Sequence, residues 1–276
     1  MSDFLDAAIE IAREAGQVLL AHRGVGFELK GDYDLVTAAD RASEQLVLKR
    51  LRERFPDHGI VAEEGGRAEL DADLRWYVDP LDGTTNFAHG FPMWNVTLAL
   101  AQHGEVIAGV VYDPLNRELF AAERGAGARL NGAPIHVSKA RLLNDALLST
   151  GFPSRKRHQN VNIHFYYQLA MLSHGVRRGG SAALDLAYTA CGRLEAFWEF
   201  GLNPWDMAAG TLLVEEAGGK VSGMRGERFD LLDRYVLADN GLVHGELLEL
   251  FEEVFEGRYR HEMPGLPTPE WSLQRG

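Results

Sequence analysis

Apolar residues recur along this chain in two patterns, one with the period of a helix and one typical of strands. Between residues 3 and 22 apolar side chains return every three or four positions, which predicts an amphipathic helix. Val96, Leu98 and Leu100 alternate with other residues, and after a His-Gly turn the stretches 106–112 and 118–122 read as further strands. The first half therefore predicts a helix beside an antiparallel meander.

The same patterns predict elements throughout the chain. We expect helices over residues 37–55, 160–174, 181–190, 204–217 and 245–255. We expect strands at residues 25–29, 60–62, 76–78, 146–152, 196–200 and near 236, and loops over residues 30–34 and 79–92, the second with a short helix. This order indicates a mixed α+β fold with layered sheets.

A change of character near residue 145 suggests two lobes within one domain spanning residues 1–276. The lobes would cover about 1–145 and 146–260, and the Pro-rich polar stretch 261–276 is expected to be a loosely ordered tail. No internal repeat is visible, and no linker cleanly separates two domains.

Composition and charge narrow the function. The chain has 276 residues, 46% apolar and 25% charged, as is ordinary for a soluble globular protein. A net charge of −12 argues against nucleic acid as a main partner. Cys191 is the sole cysteine, which excludes an intramolecular disulfide and fits a reducing cytoplasm. Neither a signal peptide nor an apolar run long enough to span a bilayer is present, so we expect a cytoplasmic protein without a membrane partner.

The strongest chemical signal is the stretch 76–87, in which two acids follow an apolar strand. Pro80 stiffens the segment between Asp79 and Asp82. Two like charges held close together repel unless a cation lies between them, and hard divalent cations prefer oxygen ligands. Gly83 and Thr84 open a predicted helix, whose free N–H groups suit a phosphate. This combination favours a metal-assisted phosphatase.

Other acids have simpler explanations when each is taken alone. Asp40 follows Thr37 with the spacing of a capping box. Glu63 at a strand end is typical of solvated surface, and Asp206 lies in a first helical turn, where acids are favoured anyway. Periodicity and spacing leave both interpretations open for these three residues.

Two segments resemble the signatures of the inositol monophosphatase family. The first is Asp79–Phe87, and the second is Trp205–Gly210 together with Glu215–Gly219. Further blocks resemble the family in the same order along the chain: 34–40, 62–64, 109–114, 151–153 and 180–183. The resemblance covers roughly residues 5–255.

The resemblance implies a layered α/β/α/β/α sandwich of the sugar-phosphatase type, usually dimeric, with magnesium dependence and lithium sensitivity. It implies that two or three Mg²⁺ ions bind to Glu63, Asp79, the main-chain carbonyl of Leu81, Asp82 and Asp206. It assigns catalysis to Asp40 and Thr84, which would hold and deprotonate the attacking water, with Glu63. It places the substrate against Glu63, Asp82, Gly83, Thr84, Gly180, Ser181, Ala182, Glu199 and Asp206.

The substrate implied by the resemblance is a small phosphorylated polyol, most naturally myo-inositol 1-phosphate. Histidinol phosphate, fructose 1,6-bisphosphate and nucleotide 3′-phosphates are alternatives, because relatives act on them with the same metal site. A protein that uses this fold as a surface for a transcription or RNA-processing partner is a third possibility from a different class. Nothing in this acidic sequence requires such a partner.

Overall fold

The computed structural model describes residues 2–24, 26–31, 34–63, 66–68, 72–152, 160–263 and 265. The helices are α1 (Asp3–Ala21), α2 (Ala38–Arg54), α3 (Thr84–Ala88), α4 (Asn162–Leu172), α5 (Ala182–Ala190), α6 (Pro204–Glu216) and α7 (His244–Phe255). The strands are β1 (Phe27–Gly31), β2 (Asp34–Thr37), β3 (Gly59–Ala62), β4 (Gly66–Ala68), β5 (Leu74–Asp82), β6 (Asn95–Gln102), β7 (Glu105–Asp113), β8 (Glu118–Glu123), β9 (Gly127–Leu130), β10 (Ala133–Pro134), β11 (Leu147–Thr150), β12 (Gly175–Arg177), β13 (Ala196–Phe200), β14 (Lys220–Ser222) and β15 (Tyr235–Asp239). Across the described ranges, no helix is both long and apolar enough to cross a membrane.

The first large sheet has the strand order β10-β9-β8-β7-β6-β5-β3-β4. Its neighbours pair antiparallel except for β3 and β5, which run parallel. Strand alternation divides the apolar residues of β6 between the two faces: Leu98 packs in a core with α1 and α2, and Ala99 packs in a core with α5 and α6. The predicted meander is present, and both of its faces are covered.

The second sheet has the order β12-β11-β13-β15-β14, and β12, β11 and β13 run parallel. Phe197 of β13 packs in the core that contains α5 and α6, whereas its neighbour Trp198 packs with α4 and α7. The layers are therefore α1 and α2, the first sheet, α5 and α6, the second sheet, and α4 and α7. This arrangement confirms the predicted α/β/α/β/α sandwich.

Two predicted loops belong in part to strands. The segment 30–34 contributes Gly31 to β1 and Asp34 to β2, which pair antiparallel, while residues 32 and 33 lie outside the described chain. The loop that was expected to begin at Asp79 is strand as far as Asp82. Strand β5 continues to that residue, with a shift of register against β6 after Asp79. Polar side chains did not prevent pairing because a strand satisfies its backbone groups whatever its side chains are.

The remaining differences are short elements and helix ends. The pattern missed β4, β9, β10, β12 and β14, which have two to four residues each and too few positions to show a period. The helix expected over 160–174 is observed as α4 at 162–172. Of the expected tail, residues 264 and 266–276 lie outside the described chain, and its order stays a prediction.

Helix α6 lies close to the first sheet because β7 has a glycine where the two meet. A Cβ atom at Gly109 would be 2.9 Å from the Cα atom of Ala209 in α6. Any side chain at this position would push the helix away from the sheet. The contact holds the first turn of α6, which contains Asp206, at a fixed distance from the strands of the first sheet.

Candidate active site

Glu63 and Asp79 are placed side by side by the parallel pair β3 and β5. Ala62 is the register partner of Val78, and the Glu63 N–H donates to the Val78 carbonyl at 3.3 Å. Parallel strands end at the same edge of a sheet, so the residues that follow them are neighbours. The Asp79 carboxylate also accepts the Leu81 N–H at 3.0 Å, which fixes the bend around Pro80.

Asp40 is a capping residue and also contacts Thr84, the first residue of α3. Its Oδ2 atom accepts the Thr37 N–H at 2.8 Å, and the Thr37 hydroxyl oxygen accepts the Asp40 N–H at 3.3 Å, which are the two bonds of a capping box. Its Oδ1 atom lies 3.0 Å from the Thr84 hydroxyl, which lies at the same distance from the Leu81 carbonyl. The capping interpretation of Asp40 is therefore correct, but it leaves Oδ1 facing Thr84.

Gly83 joins β5 to α3 in a conformation that favours glycine. Its φ angle is 88°, and a Cβ atom there would lie 2.8 Å from the Met93 carbonyl oxygen. Both the positive φ and the close backbone exclude a side chain. The turn thus brings the Thr84 hydroxyl back to the Leu81 carbonyl, 3.0 Å away. The predicted role of the Gly83 and Thr84 N–H groups as phosphate donors stays a prediction.

Asp82 connects the first sheet to helix α5. Its Oδ2 atom accepts the Ser181 hydroxyl at 2.6 Å, the Asn95 amide at 3.0 Å and the Ala183 N–H at 3.0 Å. The Asn95 amide also donates to the Ser181 hydroxyl at 2.9 Å, and that hydroxyl accepts the Leu184 N–H as the N-cap of α5. The Ser181 hydroxyl, predicted as a substrate contact, is thus engaged by Asp82 and by its own helix.

Asp206 lies in the first turn of α6, which begins with Pro204 as predicted. Its carboxylate accepts the Asn203 N–H at 2.7 Å and the Asn203 side-chain amide at 3.3 Å. Asp206 therefore caps its helix in the way that Asp40 caps α2.

The electrostatics show that acids distant in the sequence share one place. Burial raises the pKa of Asp79 well above its usual range, and the charges of Glu63, Asp82 and Asp206 raise it further. Burial raises the pKa of Asp206 to about 8, although the hydrogen bonds from Asn203 lower it. The charges of Asp82 and Glu63 add to the rise. Burial also raises the pKa of Asp82, although the bonds from Ser181, Asn95 and the α5 backbone oppose it. Mutual repulsion of this kind is relieved by a bound cation.

The donors fit a hard divalent cation. They are carboxylate oxygens, with the Leu81 carbonyl nearby, and no described lysine or arginine is among the main influences on the pKa of Asp79, Asp82 or Asp206. As the side chains stand, no three acids, histidines or cysteines of the described residues surround one point closely enough to hold an ion. Binding would require carboxylates, such as that of Asp82, to turn from their present partners.

The predicted substrate residues lie at the carboxyl ends of the parallel strands β11, β12 and β13. Glu199 follows Trp198 in β13, and its carboxylate lies against Gly151, where a Cβ atom would be 1.9 Å from Oε2. Gly180 has a φ of 85°, and the Asn86 amide donates to the Gly179 carbonyl at 2.9 Å. Ala182 begins α5 next to these residues.

Three residues at the site were not anticipated from the sequence. Asn95 holds both Asp82 and Ser181, and Ser43 donates its hydroxyl to the Pro80 carbonyl at 2.8 Å. Asp185 is 2% exposed within α5. A lone acid among the apolar residues of a predicted helix was the available signal for Asp185, whereas Asn95 and Ser43 gave none.

Comparison with known proteins decides the family. A family described as "Inositol monophosphatase family" matches residues 1–256 of the chain. The chain belongs to the inositol monophosphatase family. It is accordingly a phosphatase that acts on a phosphorylated substrate, in a family that is generally metal-dependent. The family and the enzyme class expected from the two signature segments are confirmed.

Individual relatives are similar over most of their length. An inositol-1-monophosphatase of Synechocystis is 48% identical over 216 residues, which are 78% of this chain and 75% of that protein. A Pseudomonas aeruginosa protein named Nus factor SuhB is 44% identical over 250 residues, 87% of this chain and 92% of that protein. The solved inositol monophosphatase of Anabaena (Nostoc) has 43% identity and a TM-score of 0.83, covering 92% of this chain and 95% of that one.

Proposed function

We propose that this phosphatase hydrolyses a small polyol phosphate, with myo-inositol 1-phosphate as the first candidate, and that it requires Mg²⁺. The observation that supports this most directly is that four acids lie at one place: beyond the effect of burial, the charges of Glu63, Asp82 and Asp206 raise the pKa of Asp79, and those of Asp82 and Glu63 raise the pKa of Asp206. A site with only oxygen donors suits Mg²⁺ better than zinc.

The ligands in this proposal are Glu63, Asp79, the Leu81 carbonyl, Asp82 and Asp206, holding two or three ions. Bound Mg²⁺ neutralises the carboxylates and the phosphate and makes a nearby water easier to deprotonate. Asp40 Oδ1 and the Thr84 hydroxyl, 3.0 Å apart, orient that water and take its proton. The N–H groups of Gly83 and Thr84 receive the phosphate oxygens.

The alcohol half of the substrate lies against Gly180, Ser181, Ala182 and Glu199. A second phosphate on this side would meet the buried acids Glu199 and Asp185, which makes fructose 1,6-bisphosphate the weaker alternative. Histidinol phosphate and nucleotide 3′-phosphates would bind to the same metal site, and they differ from inositol phosphate in the alcohol. A panel of these four esters at equal concentrations distinguishes them.

The experiment starts from protein stripped of metal with EDTA. Phosphate release from myo-inositol 1-phosphate should be absent, should return with Mg²⁺ and should fall again with added Li⁺. Asp82→Asn should nearly abolish turnover. Full turnover without a divalent ion, or by the Asp82→Asn variant, would overturn the proposal. The expected homodimer is checked by light scattering in the same samples.

A second candidate role is binding of a protein partner, which the Pseudomonas aeruginosa relative named a Nus factor favours. This role is independent of turnover, so it is tested with the inactive variant. If Asp82→Asn restores the growth of a strain deleted for the gene, the partner role is supported. If restoration requires activity, hydrolysis is the cellular function.

A further inference from the structure

Asp185 is a buried acid that the proposed chemistry does not use. It lies one helical turn after Ser181 on α5, and its neighbours Leu184 and Leu186 are fully buried. No described lysine or arginine forms an ion pair with it within 4 Å. Burial and the charge of Asp82 raise the pKa of Asp185 well above its usual range, and the Ser149 side chain and the charge of Arg178 oppose this rise. Burying an acid without an ion-pair partner destabilises a folded protein, which points to a role other than stabilising the fold.

Asp185 lies close to Gly179, next to the residues that the proposed function places against the alcohol. Its Oδ1 atom would be 3.2 Å from a Cβ atom at Gly179, whose carbonyl accepts the Asn86 amide. Gly179 thus has the Asp185 carboxylate close to its Cα atom and the Asn86 amide on its carbonyl. Gly180 has a positive φ and leads into the N-cap of α5, so a small displacement here moves the start of that helix.

Asp185 also acts on Glu199. Its charge is the strongest one that raises the pKa of Glu199, after the effect of burial. Glu199 lies at the end of β13, with its carboxylate against Gly151 at the end of the parallel strand β11. Ligands in sheets of this kind bind outside the carboxyl ends of the parallel strands, and these two acids flank that position.

We propose that Asp185 is a positioning residue for the alcohol half of the substrate, which keeps Glu199 and the segment 179–180 in the arrangement that binds a neutral, polyhydroxylated alcohol. This inference rests on the proposed phosphatase function and adds a determinant of its specificity. Carboxylates accept hydrogen bonds from hydroxyl groups, and a site built to bind hydroxyls discriminates strongly against an alcohol without them. Asp185 acts through Glu199 and the backbone rather than on the phosphate.

The test compares two esters and two variants in the presence of Mg²⁺. Asp185→Asn keeps the size of the side chain and removes its charge, and Thr189→Val changes a buried residue one turn further along the same helix. For Asp185→Asn we expect KM for myo-inositol 1-phosphate to rise about tenfold or more, with kcat changed less. KM for methyl phosphate, which has no hydroxyls, and the inhibition constant of inorganic phosphate should stay unchanged. Thr189→Val should alter none of these values.

Three outcomes would decide against the inference. Equal losses on both esters would make Asp185 a structural residue and leave the proposed phosphatase function intact. A wild-type preference for an amine-bearing ester would show that the two acids form a cation pocket instead. If the variant unfolds, Asp185→Glu, which keeps the charge, must restore discrimination between the two esters or the inference fails. Absence of any Mg²⁺-dependent turnover by the wild type would instead refute the proposed function.

Discussion

The two sheets each contain a parallel portion, and the carboxyl ends of these portions meet at the site with different chemistry. In the first sheet the parallel pairing of β3 and β5 leads to Glu63 and Asp79, beside the acids Asp82 and Asp206. In the second, the parallel strands β11, β12 and β13 end next to Glu199, Gly151 and Arg178, where the arginine opposes the acids. On the proposed function, the first edge, with Glu63, Asp79 and the neighbouring acids, would bind a cation, and the second edge, with Gly151 and Glu199, would bind a neutral alcohol.

On the proposed function, the first edge would determine the type of reaction and the second edge would determine which alcohol is selected. The first edge is fixed by a register shift, a glycine with positive φ and two capping boxes, all of which leave little room for variation. The second edge also contains a glycine with positive φ, Gly180, but its acids Glu199 and Asp185 belong to no capping box. The following experiments test this separation, in order of decreasing expected effect.

Asp79→Asn should have the largest effect, because it removes one acid from the first edge. We expect kcat/KM with Mg²⁺ to fall about 10³-fold or more, since several kcal/mol of charge stabilisation are lost. The melting temperature of EDTA-treated protein should rise, because burial and neighbouring charges raise the pKa of Asp79 and make its charge unfavourable. A variant that keeps a tenth of the activity, or that melts lower without metal, would contradict the assignment.

The pH dependence of stability without metal should be the next largest effect. Asp206 has a folded-state pKa of about 8 against an ordinary value of 3.8, so the folded protein binds more protons than the unfolded chain between these values. The free energy of unfolding should therefore decrease as pH rises from 5 to 8. Urea titrations of EDTA-treated protein measure this slope. Asp206→Asn should reduce it, and an increase of stability over the same range would be inconsistent with the acid cluster.

Gly151→Ala should affect the second edge alone. The added Cβ atom would lie 1.9 Å from Glu199 Oε2, so the carboxylate must move. We expect KM for the polyol ester to rise about tenfold, with unchanged inhibition by inorganic phosphate. Gly245→Ala, where a Cβ atom meets nothing within 4 Å, is the matched control. A loss of phosphate affinity in Gly151→Ala would mean that the two edges are not separable.

Ser181→Ala should have the smallest effect and tests the connection between the edges. It removes the N-cap of α5 and the hydroxyl that donates to Asp82 at 2.6 Å. We expect a loss of about 1–3 kcal/mol in the free energy of unfolding, measured in urea. Ser2→Ala removes the N-cap of α1, far from the site along the chain, and should cost about 1 kcal/mol or less. Equal losses in both variants would show that the bond to Asp82 adds nothing.

Local signals made much of this architecture predictable. Helices α2 and α6 were found because Thr37, Pro204 and the glycines after residue 217 are informative within a few positions. The acids of the first edge were found because the family signatures are contiguous in sequence. The predicted division into lobes near residue 145 and the individual roles of the site residues stay predictions.

Long-range contacts set the limit of prediction. Asn95 and Ser181 are 86 positions apart and meet only because β6 and α5 are brought together by folding. The extension of β5 to Asp82 depends on its partner β6, and the position of Asp185 behind residues 179–180 depends on the sheet beneath it. No local pattern encodes which distant backbone a side chain will reach.

The far end of α6 has a consequence for engineering the enzyme. The Glu216 carboxylate accepts the N–H groups of Gly125 and Gly127 at 2.8 Å each, and Arg124 pairs with Glu215 at 2.6 Å. The helix is thus anchored to a surface turn about 15 Å from Asp206 at its other end. On the proposed function, in which Asp206 is a metal ligand, redesign of that turn would change the affinity for metal through the tilt of one helix, without substitution of any ligand.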